Sequence, residues 1–228
     1  LPVVSGVETT RRGHVLAPPP KQAQLRGRWT TTPVRGRTRH MPTRDEAVSL
    51  LEEWVENKGL RKHMYAVEAA VRHYAGLRGA DPDVWGLAGL LHDLDWEKYP
   101  ENHPITAVDH LRAAGYPDEV LQAILAHRAS FTGVEPTSEL DKVLMACDEL
   151  SGLVYACCLV RPNGIDDLKP KSVVKKLKDK TFAAGVSREE VHHGMELIGL
   201  ERNEHVQNII DALRGAGEQL GIRAEDRS

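Results

Sequence analysis

Residues 84–91 read Val-Trp-Gly-Leu-Ala-Gly-Leu-Leu, and His92-Asp93 follows without a break. A helix that is apolar on every side is driven wholly into a core. This stretch therefore predicts a buried helix around which the rest of the chain packs, with Asp81 as N-cap and Pro82 in the first turn. Its far end delivers an imidazole and a carboxylate together. Burying that pair is costly unless something compensates it, and a metal ion compensates both at once. The alternative is a helix that reaches the surface there and leaves the pair to water.

The flanking sequence is helical in period. Thr43-Arg44-Asp45-Glu46 fits a capping box, and Ala47, Leu50, Leu51, Trp54 and Val55 form the stripe behind it. Asn57-Lys58-Gly59 is expected to close that helix, with a second running from about Leu60 to Gly76. Helical patterns continue at Ile105–Ala114, Asp118–His127 and Glu139–Val160. After the loop Arg161-Pro162-Asn163-Gly164, two more helices are expected, from Ser187 (a capping box with Glu190) to Leu200 and from about Glu201 to Leu220. No alternating run makes a strand and no internal repeat occurs, so the fold class is all-α.

Residues 1–40, with Pro18-Pro19-Pro20 and no apolar period, read as a flexible tail, a tag or a leader. The formal charge of −3 offers no global field for nucleic acid, so no stable nucleic-acid partner is expected. No apolar run is long enough to span a bilayer. Cys147, Cys157 and Cys158 are odd in number and partly adjacent, a poor disulfide framework. They are expected as buried, inert thiols in a cytoplasmic protein.

Histidine is the unusual residue, eleven in all. In chain order, His63, His92, Asp93, His103, His127 and Asp148 are candidate ligands, and neutral imidazole with carboxylate suits Fe, Mn, Co, Ni or Zn. Apart from the doublet, each lies on a different helix or helix end, as in sites gathered in a bundle core. Asp148 lies within the apolar Val143–Leu150 segment, where an unpaired acid would be destabilising. His110 rivals His103 as a ligand. Asp95 and Glu97 are candidate supporting acids or solvent-facing residues, with Asp95 also a catalytic candidate beside Asp93 and Arg128. For substrate binding the candidates are Lys62, Arg128, Arg161 and Lys171. The basic run from Arg161 through Lys169, Lys171, Lys175, Lys176, Lys178 and Lys180 is either a solvated face or a phosphate-binding lid, with Ser172 capping a helix.

A lone His, a His-Asp doublet and a distant Asp, in the wording Leu-Leu-His-Asp-Leu-Asp and Ala-Cys-Asp-Glu-Leu, resemble the HD-domain superfamily of metal-dependent phosphohydrolases over roughly residues 45–160. The resemblance implies an HD-like helical bundle at 41–160, and the helical pattern beyond it is expected to form a C-terminal extension at 161–228, packed on the same domain. It implies one or two divalent transition metal ions and hydrolysis of a small phosphorylated substrate by a metal-activated water. With His103 and His127 between doublet and last Asp, the pattern is similar to binuclear members, including the YqeK-type dinucleoside polyphosphate hydrolases. There the Asp of the doublet bridges the metals, a role that falls to Asp93. Two other readings go with the resemblance: a di-iron oxygenase, and a non-catalytic nucleotide-binding module, against which the complete ligand series weighs. The C-terminal helices fit a lid, a homodimer face or core support.

Overall fold

A computed structural model describes residues 41–227. The flexible tail expected at 1–40 lies outside the described residues. Among them there are eleven α-helices and no strand, so the chain is all-α. No helix among them is long and apolar enough to cross a membrane.

Helix α1 (Arg44–Trp54) opens on the expected capping box, with Thr43 and Glu46 exchanging bonds. Asn57 does not close α1. Its side chain accepts from the N–H groups of Gly59 and Leu60 and opens α2 (Lys58–Arg78), which ends at left-handed Gly79, past Gly76. An Asn is an effective N-cap, and here that role outweighs its tolerance of a helix end. Helix α3 (Pro82–Leu91) is buried from Trp85 onward, as its composition demands. It lies tight on α2 because Gly89 has no side chain: a Cβ there would come within 2.9 Å of the backbone of Val67 and Glu68.

After a turn at 92–98 come α4 (Ile105–Ala114), α5 (Asp118–Ala126) and the short α6 (Ala129–Thr132). Helix α7 (Glu139–Leu159) starts on a Ser138–Asp141 capping box and carries Asp148 at mid-length. Cys147, Cys157 and Cys158 are free and buried.

Helices α8 (Pro170–Leu177), α9 (Arg188–Ile198), α10 (Arg202–Gly215) and α11 (Gly217–Leu220) share one apolar core with the earlier ones. Helix α9 packs on α7 and α10 on α2, α7 and α8. Gly194 permits the first contact, since a Cβ there would sit 2.7 Å from Ala146 Cα. The second is held by buried His205, whose Nε2–H donates to the Ala146 carbonyl at 3.0 Å and whose Nδ1 accepts from the Tyr74 hydroxyl at 2.6 Å. Ser172 does not cap α8; Lys169 stands at the N-cap and Pro170 in the first turn.

Candidate metal centre

Five elements bring the candidate ligands together: α2 gives His63, the end of α3 gives His92 and Asp93, the loop before α4 gives His103, the end of α5 gives His127, and α7 gives Asp148. They form two trios. In each, ligand atoms of His63, His92 and Asp148, or of Asp93, His103 and His127, lie within 4.8 Å of one another. His63 Nε2 is 3.0 Å from Asp148 Oδ1 and 3.2 Å from His92 Nε2. His103 Nε2 is 3.1 Å from His127 Nε2 and 3.3 Å from Asp93 Oδ1. The other Asp93 oxygen faces the first trio, 3.5 Å from His92 Nε2 and 3.8 Å from His63 Nε2. His92 is fully buried and Asp93 only 17% exposed, so the apolar helix does not surface at its doublet.

The surroundings fix which imidazole nitrogen points inward. His92 Nδ1–H donates to the Gly89 carbonyl at 2.9 Å, and His127 Nδ1–H to the Ile124 carbonyl. His103 Nδ1 is 2.7 Å from Asp95 Oδ1, and the other oxygen of that buried carboxylate accepts from Ala107 N–H at 2.8 Å. With their protons on Nδ1, His103 and His127 aim two lone pairs at each other across 3.1 Å. A cation between them resolves that opposition, and Asp93 supplies the anionic oxygen beside it. The donor set thus fits one ion per trio.

Burial opposes charge on His92, Asp93, Asp148 and His127, and at the first three the attraction of their neighbours wins. For His92, burial is outweighed by the carboxylates of Asp93 and Asp148, which hold the imidazole well above its ordinary range. Burial is likewise outweighed at Asp93, chiefly by His92 and His127, and at Asp148, chiefly by His92 and His63; both acids lie well below the usual carboxylate range. At His127 burial prevails and lowers the pKa. A metal ion entering the centre displaces the protons that these pairs otherwise share.

His110 is not in the centre; it stacks on Trp54 of α1 with ring centroids 4.8 Å apart. Glu97 is also elsewhere, accepting from Glu56 and Asn57 N–H at the α1–α2 junction. Asp95 is turned away from the open side and touches the centre only through His103. Arg128 does reach the mouth, its guanidinium 5.4 Å over the Trp96 ring, lining a cavity of about 260 Å³ with His63, Asp93, His127 and Asp148. Three other basic candidates are placed elsewhere. Lys62 donates to the Leu220 carbonyl at 2.6 Å, Arg161 pairs with Asp167 at 2.7 Å, and exposed Lys171 lines neither cavity at the centre.

A larger cleft of about 720 Å³ adjoins the centre at His127 and Asp148, between α7 and α9. Its lining includes Glu149, Glu189, Glu190 and Glu196 with His192 and His193, and no Lys or Arg among the described residues. Burial, with the neighbouring Asp148 charge, pushes Glu149 up to about 8 although it accepts from Ser187 N–H. Sequence reasoning missed these acids. Glu190 reads in sequence only as the capping-box partner of Ser187, and it is the packing of α9 on α7 that brings it and Glu189 into this cleft.

Fold and site together define an all-α protein with a largely buried cluster of His and Asp that could hold metal. The sequence model of the HD domain matches residues 60–153, which contain all six candidate ligands. Over these residues the chain matches the HD domain, a superfamily of metal-dependent hydrolase type. No curated protein matches the chain in sequence.

Proposed function

We propose that this chain hydrolyses a small phosphate ester with two divalent metal ions, one held by His63, His92 and Asp148, the other by His103 and His127, with Asp93 shared. The observation that carries this reading is the division of the Asp93 carboxylate, one oxygen toward each trio. Divalent ions held by these residues would supply a coordinated water of lowered pKa and would polarise a phosphoryl oxygen. The chain's own residues do the rest. Asp95 is a positioning residue that keeps the His103 proton on Nδ1 and its lone pair inward. Arg128, steadied over Trp96, offers its planar fork to the remaining phosphoryl oxygens. The acid-lined cleft receives the rest of the ester, and its carboxylates favour a neutral or cationic leaving group over a polyphosphate chain.

Metal analysis of the purified protein should give about two ions per chain, falling to about one in His103→Ala or His127→Ala. One ion in the unaltered protein would remove the second metal from this reading. Phosphate release from a panel of phosphate esters with Mn²⁺ or Co²⁺ tests the reaction, and Asp93→Ala should abolish it. Oxygen uptake with Fe²⁺ and no phosphate release would instead assign the same four His and two Asp to an iron oxygenase.

A further inference from the structure

A further cavity, about 540 Å³, opens where the end of α8 meets the first turns of α9 and α10. Lys178, Lys180, Arg188 and Arg202 surround it against a single acid, Glu189, and Val174 with Leu177 give it an apolar wall. This is a local excess of positive charge in a chain whose formal charge is −3. The excess is not neutralised internally. Neighbouring Lys176 pairs with Asp179 at 3.7 Å, but among the described residues Lys178, Lys180 and Arg202 form no ion pair. Arg188 spends its terminal nitrogens on the carbonyls of Asp179, Phe182, Ala183 and Val186. That leaves its charge at the pocket wall without a carboxylate to balance it.

Three like charges converging from separate elements on one concavity repel one another, and an anion in the middle relieves that repulsion. The volume is that of a small-molecule site. We infer that this pocket binds a small organic phosphate, its anionic group among Lys178, Lys180 and Arg202 and its apolar body against Val174 and Leu177. The site is distinct from the metal centre and does not depend on the hydrolase reading. It shares only Glu189 and His192 with the lining of the acid cleft.

The test is calorimetric titration of the full chain with AMP and with inorganic phosphate, before and after chelation of divalent metal. Binding at the metal centre is lost on chelation; binding in this pocket persists. One chelation-resistant AMP site per chain is expected, with AMP bound about tenfold more tightly than inorganic phosphate because of the apolar wall. Lys178→Glu with Arg202→Glu should weaken it at least about tenfold, and Lys171→Glu, an exposed charge on α8 outside the lining, should not. Should the double variant lose its helical circular dichroism, Lys178→Ala and Lys180→Ala singly serve the same comparison. Absence of chelation-resistant binding, or equal weakening by Lys171→Glu, overturns the assignment. So does binding to phosphatidylserine vesicles with none to AMP.

Discussion

At Asp93, Asp95 and Arg128 the proposed chemistry rests on where single atoms point. Replacing Asp95 with Asn keeps its shape but removes the charge that faces His103 Nδ1 at 2.7 Å. Affinity for one of two ions should fall about 10–100-fold while the other stays near its original value, measured by competition with a chromophoric chelator. Equal weakening of both ions would deny Asp95 its selective hold on His103. That the six candidate ligands converge was legible because a buried cluster of imidazoles and carboxylates needs compensation in apolar surroundings, and both His92-Asp93 and Asp148 stand out in the sequence there. The basic residues were not. Lys62 sits beside His63, but its ammonium reaches a carbonyl at residue 220, and Arg161 turns to Asp167. A long flexible cation takes whatever acceptor the fold brings near, and sequence spacing carries no trace of a partner so distant.

Two helix pairs meet through glycine, and the consequence differs from one glycine to another. At Gly194 a methyl group would press on the Ala146 and Met145 backbone, which has no rotamer to yield. Gly194→Ala should therefore cost roughly 1–3 kcal/mol and lever α9 away from α7, widening the acid cleft. Thermal unfolding reads the first effect and an altered KM with a phosphate ester reads the second. Gly76 of α2 is the control, since nothing lies within 4 Å of a Cβ there. Gly76→Ala should stabilise by roughly 0.5–1 kcal/mol. Most helices could be placed beforehand from caps and period, with Thr43, Asp81 and Ser187 at the N-caps. Asn57 and Ser172 could not, because both residue types suit more than one position and packing decides between them. The contacts of α9 and α10 with α7 and α2 were hidden altogether, being set by small residues and one histidine far apart in the chain.

For the molecule as a whole, His205 joins α10 to α2 and α7 and makes stability depend on acidity. Burial pushes its pKa down to about 4 from an ordinary 6.5. Above pH 6.5 the imidazole is neutral in both folded and unfolded chains, and its full contribution is present. As the pH falls toward 4 the unfolded chain takes up a proton that the folded one refuses, so on the order of 3 kcal/mol is lost. Urea midpoints measured from pH 7 to 4 should fall more steeply in the parent than in His205→Gln; parallel curves would remove His205 as the cause. The two trios have a mechanical side as well. Ions seated there would clip together points on the chain from residue 63 to residue 148, closing loops much as a pair of disulfides would. Metal supply would then set the lifetime of the folded chain, and a metal-starved cell would lose the protein to proteolysis.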